Sequence, residues 1–441
     1  MKLFIILVIL GCLSSRGEAE ELISIISPHR KSLQREFIPK FKEYYKDQYK
    51  EEIEVEWIDQ GGSENDLKYI RSQFSNNNKT ASIDVFWGGG DVSFIDLDKE
   101  KLLEKFVLPK HLDQELPKQV AGIGLRSKNH TWYASAMSSF GIFSNKFLLK
   151  MLNMPEPTSW ADLAKAEFED QIAIPDPRHS STALMMFMIF LFHDNWDNGW
   201  KLLNSIAGNA KNFSLSSSAP VKAVVNGDAV LAPVVDFYAN AKLASLGKDK
   251  VGFVLPKRQT VYNSDPVAIL KGAPHRLQAE RFIKFLLQAD AQRLLILPKG
   301  HDQGPKWSYL GRMAINPSAY KGFDPQFLVG KNPFELAEST FVMDSQKIAK
   351  WKHVISDIIG AVFIDLHQYH KQARKHVIAN NLWKQAEYAR MIQAPISKAE
   401  LIELSKKWEN QSFRNNTILE LSDAAMKKYK DVLRLQKKSN A

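Results

Sequence analysis

The sequence predicts a two-lobed α/β protein, each lobe an open, mostly parallel sheet flanked by helices, with a helical C-terminal extension. Three observations point there. The chain has 441 residues, more than one hydrophobic core usually serves, so at least two lobes are expected. Short apolar runs ended by glycine or proline alternate with helix-period segments over residues 22–330. From about Asn332 onward the apolar spacing is helical almost throughout. The 44% hydrophobic and 24% charged composition is that of an ordinary globular protein.

Leu22-Ile23-Ser24-Ile25-Ile26 reads as a buried strand, broken by Ser27-Pro28-His29. Leu33, Phe37, Ile38, Phe41 and Tyr44 then share one helix face. Ile53 to Ile58 is the next strand, ended by Gly61-Gly62-Ser63; Ser63 with Asp66 resembles a capping box opening a helix with Leu67, Ile70 and Phe74 inward. Ile83 to Trp87 is a third strand, ended by Gly88-Gly89-Gly90-Asp91. Met137 to Phe143 is strand-like and suited to cross between lobes. Gln171 to Ile174 is a strand, and the polar loop Pro175 to Thr182 opens into the apolar run Ala183–Phe192. That run is too short to span a bilayer, which needs about 20 residues, and is expected to be a buried helix. Ala229 to Val235, Val251 to Pro256 and Val267 to Leu270 complete the strands, the last as the return to the first lobe. Ile348, Trp351, Ile355, Ile358, Val362, Phe363 and Leu366 form one long buried stripe, and the Lys-rich tail from Lys427 is expected to fray.

At the N-terminus, Lys2, the apolar run Leu3–Leu13 and the small residues Ser14, Ser15, Gly17 and Ala19 make a secretory leader, with the cut after Ala19. Cys12 is the only cysteine, so the exported fold has no disulfide of its own. Ile9-Leu10-Gly11-Cys12 resembles a lipobox, which would anchor the chain to lipid. The alternative, a cysteine discarded with the leader, is preferred because Cys12 lies so early. The expected organisation is therefore leader 1–19, lobe one 20–137 plus 264–330, lobe two 138–263, and a helical region 331–441 packing on the lobes.

The formal charge is +10. Loss of Lys2, Arg16 and Glu18 with the leader removes one net charge and leaves +9. The charge is spread along the chain and no basic-aromatic module stands out, so no nucleic-acid partner is expected. No spaced glycine fingerprint or phosphate-binding loop of nucleotide enzymes occurs, no nucleophile elbow, and no histidine spacing typical of zinc sites. Neither cofactor, metal nor catalytic residue is expected.

Candidate ligand residues follow from where ligands of open α/β sheets collect, beyond the carboxyl ends of the strands. Ser27 and His29, Gly61 and Ser63, and Gly89 and Asp91 lie at three such ends; glycine there lets backbone N–H groups approach a ligand. Arg30 is read as the start of a solvated helix. Ser139 lies on the crossing segment. Asp176, Ser180 and Ser181 precede a helix whose free N–H groups suit a phosphate or carboxylate, or else simply cap it. Ser217 poses the same choice. Asp236, Tyr238 and Asp265 flank apolar strands and would suit an ammonium group or a metal, or else serve as caps. Trp87 and Trp132 are stacking candidates, although buried aromatics are usually core.

Four ordered segments carry a family resemblance: Phe140 to Lys146, Pro157 to Leu163, Ile172 to Pro177, and Ser264 to His275 continuing to Ala279, Phe282 and Leu286. Over roughly 22–330 the chain resembles the substrate-binding proteins of bacterial ABC importers, in the cluster of ferric-iron, thiamine, polyamine and phosphonate receptors. The resemblance implies the type II periplasmic-binding-protein fold and a monomer in the periplasm. It also implies a small polar solute held between closing lobes and delivered to an inner-membrane ABC permease. Ferric receptors of the cluster present adjacent tyrosines where this chain has Phe237-Tyr238, which argues against classical ferric binding. Two other roles stay open: a periplasmic sensor subunit for a membrane kinase, using the C-terminal helices, and a secreted hydrolase.

Overall fold

A computed structural model describes residues 21–75, 80–120, 122–335 and 343–436. The expected leader and Cys12 lie outside the described residues.

Strand β1 (Glu21–Ile26) pairs in parallel with β2 (Ile53–Ile58) and β3 (Val85–Trp87). Between β1 and β2 runs α1 (Lys31–Tyr49), which buries Leu33, Phe37, Phe41 and Tyr45; between β2 and β3 runs α2 (Ser63–Gln73). The capping box expected at Ser63 and Asp66 does not form. Gly61 and Gly62 have φ of 84° and 150°, so the chain swings into α2 at Gly62 and Ser63 already lies in the first turn. Asp66 instead accepts a hydrogen bond from the Gln60 N–H at 3.1 Å.

After β3 come α3 (Asp91–Lys99), α4 (Lys110–Glu115) and the hairpin β4 (Gln119–Val120) and β5 (Ile123–Gly124). The following β6 (Tyr133–Asn145) is longer than the expected Met137–Phe143 because it belongs to both halves of the sheet. Its first part pairs with β11 (Tyr262–Ile269), and its second with β9 (Leu231–Val235) and β10 (Val251–Val254), all antiparallel. Gly141 is required at this crossing, since a Cβ there would lie 2.4 Å from the Val254 carbonyl oxygen. Helix α5 (Lys146–Met151) then leads to β7 (Ile172–Pro175), which pairs in parallel with β8 (Ala210–Ser214) and β9. The strand order is β2-β1-β3-β11-β6-β9-β7-β8, with β10 on β6. Parallel pairs thus form the outer strands of each half, and β6 and β11 join the halves.

Helix α6 (Ser181–Phe192) is the predicted buried helix. Every residue from Ala183 to Leu191 is buried, so it must be covered on all sides. Helix α7 (Trp196–Gly208) covers part of it, while α8 (Ala219–Asn226) and α9 (Asp236–Leu246) flank β9. Helices α10 (Arg276–Leu287) and α11 (Ala289–Ile296) pack on the first half, where Phe282 and Phe285 meet Phe37 and Phe41. The C-terminal helices are α12 (Ser345–Ile359), α13 (His367–Asn380), α14 (Ala386–Met391), α15 (Lys398–Lys407) and α16 (Gln411–Leu433). They share one buried cluster with α6 and α7. The long stripe is broken by a π-helical turn at Gly360–Ile364. Lys427 to Leu433, expected to fray, instead continue α16, because Tyr429 and Val432 are buried and the Tyr429 hydroxyl donates to the Val362 carbonyl at 2.6 Å.

Candidate ligand-binding cleft

The strand ends of the two halves face each other across a cleft with a cavity volume of about 250 Å³. That is near the lower end of the roughly 300–1,000 Å³ of small-molecule sites. Of the fourteen residues singled out from sequence, His29, Gly61, Ser63, Gly89, Ser180, Ser181, Ser217, Tyr238 and Asp265 line it. Ser27, Asp91, Ser139, Asp176 and Asp236 are buried and are not part of its wall.

Asp265 is placed by a break in the ladder. Pro266 has no N–H to donate, and the β6–β11 register slips between these two residues. The Asp265 carbonyl accepts from the Ser135 hydroxyl at 2.8 Å, and that oxygen accepts from Trp87 Nε1 at 2.7 Å. The carboxylate is then fully engaged. Oδ1 accepts from the Gly89 N–H at 3.0 Å, and Oδ2 accepts from His29 Nε2 at 2.9 Å and from Arg312 Nη1. Burial alone would raise its pKa, but His29 and Arg312 outweigh that and hold the carboxyl below the usual range. Burial lowers the pKa of His29, so this ring is the neutral donor and Arg312 is the counter-ion. Close packing here explains Gly88: its φ is 96°, and a Cβ would meet His29 Nε2 at 2.5 Å.

Asp236 sits behind the wall at the start of α9. Its Oδ2 accepts from the Ser139 hydroxyl at 3.0 Å and its Oδ1 from the Phe237 N–H at 2.7 Å. Burial pushes its pKa up to about 7. Asp176 likewise turns away and accepts from Arg178, whose guanidinium also reaches Asp365 in the C-terminal region. Ser27 accepts from the His29 N–H at 3.2 Å.

The opposite wall is hydroxyl-rich. Ser180 caps α6, its oxygen accepting from the Ala183 N–H at 3.4 Å, and it also bonds Ser217. Ser181 reaches across the cleft. Its hydroxyl donates to the Gly89 carbonyl at 2.9 Å, so the 2.6 Å contact with Ser63 is donated by Ser63. The two halves therefore touch in this structure. Arg30 crosses too, its guanidinium 3.9 Å above the Tyr238 ring.

Arg312 on the first half, Asn263 on β11 and Lys352 on α12 are cleft residues that had no local sequence signal. Arg30, read as solvated, lines the cleft as well. Trp87 and Trp132 are buried core and do not line it. His193 ends α6, its Nδ1 3.1 Å from the Phe190 carbonyl oxygen.

Residues 83–299 match the family model described as bacterial extracellular solute-binding protein. That match spans just under half of the chain. The chain is 31% identical over 170 residues to the phosphoglycerate transport regulatory protein PgtC of Salmonella typhimurium, a match covering 38% of this chain and 42% of that one. The chain thus aligns with less than half the length of this relative. Among solved structures, the periplasmic binding protein AfuA from Actinobacillus pleuropneumoniae, with fructose-6-phosphate bound, superposes with a TM-score of 0.61 at 19% identity. It covers 79% of this chain and 100% of its own. Iron-bound HitA from Pseudomonas aeruginosa gives 0.58 at 14% identity, covering 77% of this chain and 99% of its own. These likenesses establish the type II periplasmic-binding-protein fold for this chain, and its two halves are the two lobes of that fold.

Proposed function

We propose that this protein is the solute-binding receptor of an ABC importer and that its solute is a small organic anion, carboxylated or phosphorylated. The observation that carries the charge of the solute is the state of the cleft's polar groups. Asp265 is already neutralised by Arg312 and bonded by His29, and Asp236 is hidden behind Ser139. Among the described residues no carboxylate pairs with Arg30, which faces the cleft beside the hydroxyls of Ser63, Ser180, Ser181 and Ser217. A cation entering here finds Asp265 taken, Glu64 4.0 Å from Lys352 and only the exposed Asp59 without a cation beside it, whereas an anion finds a guanidinium and hydroxyl donors. Tyr238, the phenol a ferric site would need, lies under Arg30 instead.

On this reading lobe one comprises 20–137 and 264–330, lobe two 138–263, and residues 331–441 pack on both. The monomer works in the periplasm after loss of residues 1–19, and its closed form docks on an inner-membrane permease. Closure requires contacts to both lobes, and Arg30 and Ser63 from one, with Ser180 and Ser181 from the other, meet that need. Isothermal titration with fructose 6-phosphate, 3-phosphoglycerate, inorganic phosphate, spermidine and ferric citrate tests the sign of the cleft. Binding confined to anions is expected; tight spermidine binding with no anion response refutes it.

The relative named as a transport regulatory protein favours a second reading, in which the same cleft reports to a membrane kinase. Deleting the gene separates the two. A receptor loses uptake of the anion, whereas a sensor loses only its induction, and uptake returns when the transporter is expressed constitutively.

A further inference from the structure

We propose that α12 is a strap that holds the two lobes closed even without a solute, and that the Lys352–Asp96 ion pair is its attachment to lobe one. The inference rests on the two-lobed fold and not on the identity of the ligand. Helix α12 is rooted in lobe two through the π-helical turn and α13 that follow it, which pack on α7, and its Ile348, Ile355 and Ile358 share the buried cluster of α6. Val92 of α3, on lobe one, belongs to that same cluster, and α12 packs along α3. The Lys352 side chain is 2% exposed, with Nζ 2.8 Å from Asp96 Oδ2 and 4.0 Å from Glu64 Oε1, both on lobe one. An ammonium group withdrawn from water is tolerated only beside a counter-charge. If the lobes part and α12 travels with lobe two, the pair must break and Val92 must leave its cluster. Opening therefore opposes three contacts: this pair, the apolar seam, and the Ser181 bridge to Gly89 and Ser63.

The physics of a buried pair gives an unusual signature. Asp96→Asn leaves Lys352 charged and poorly partnered when the lobes are closed, but at no cost when they are open and wet, so it shifts the balance to open. Adding Lys352→Met removes the stranded charge and lets an apolar side chain fill the seam, so closure returns. Opening is read from the labelling rate of a cysteine at Ser63, which is 5% exposed and faces Ser181, in full-length protein carrying Cys12→Ser. With rapid opening and closing, that rate follows the open population. A cysteine at Ser144, 1% exposed within lobe two, reports unfolding instead. Asp96→Asn is expected to raise labelling at position 63 by about tenfold or more with no change at 144, and the double variant to return to within about threefold of the parent. Equal rates at 63 in parent and Asp96→Asn overturn the strap. So does a rise that Lys352→Met fails to reverse, or one matched at 144.

Discussion

Asp236 offers a test of the buried chemistry behind the cleft. In the folded protein its pKa is raised by burial from 3.8 to about 7. Between those values the folded state holds a proton that the unfolded chain releases. Stability from this group is therefore fully present at low pH, falls as pH rises toward 7, and is flat above it. A shift of about three units corresponds to about 4 kcal/mol, of which roughly 2–3 kcal/mol fall between pH 5 and 8. Asp236→Asn keeps both hydrogen bonds, the amide oxygen accepting from the Phe237 N–H and the amide nitrogen donating to the Ser139 oxygen. It removes the titration. Asp66, also raised to about 7 by burial, adds to the same slope, while His370, lowered to about 3 by burial, opposes it. The informative quantity is therefore the difference between variant and parent, measured by urea unfolding at pH 5, 6, 7 and 8. The variant should gain on the parent by roughly 2–3 kcal/mol across that range. Parallel curves, differing by a constant to within 1 kcal/mol, would refute the assignment of a buried, rising pKa to Asp236.

Three further outcomes follow from the same geometry. Arg312→Met leaves the Asp265 carboxylate without its guanidinium partner, and urea unfolding should show a loss of about 3–5 kcal/mol; a loss under 1 kcal/mol would mean a proton taken up by Asp265 or His29 replaces that charge at little cost. Gly88→Ala combines backbone strain at φ 96° with a collision on His29, so both stability and anion affinity should fall; Gly247→Ala, at φ 92° with open space around it, should show the strain alone. Arg30→Gln should weaken anion binding roughly 10- to 100-fold by calorimetry, with little change in melting temperature, because Arg30 is exposed and its fixed contact is the Tyr238 ring.

Much of the fold was legible because the signals are local. The runs Leu22–Ile26, Ile53–Ile58 and Gln171–Ile174, each closed by small or polar residues, locate strands without knowledge of their partners. The apolar run Ala183–Phe192 announces a helix that must be covered on every side. The cleft was legible in part for the same reason, since strand ends carry Ser63, Gly89 and Ser181 into it. Where local signals had two outcomes, sequence left both open: Ser180 caps its helix, whereas Ser181 one residue later bridges the lobes. At Ser63 the local signal misled, because the turn at Gly62 moved the helix start by one residue and turned the hydroxyl toward the other lobe.

The sequence by itself determined the strand and helix order, the class of fold and the residues available at the strand ends, because periodicity and chain breakers act between near neighbours. Tertiary structure alone decided the charge the cleft presents. Asp265 and Arg312 are 47 residues apart, and their pairing turns an acidic candidate into a neutralised one. Lys352 reaches lobe one only because α12 folds back over α3. Coulomb interactions depend on distance in space and on the exclusion of water, and neither quantity is written in the spacing of residues along a chain.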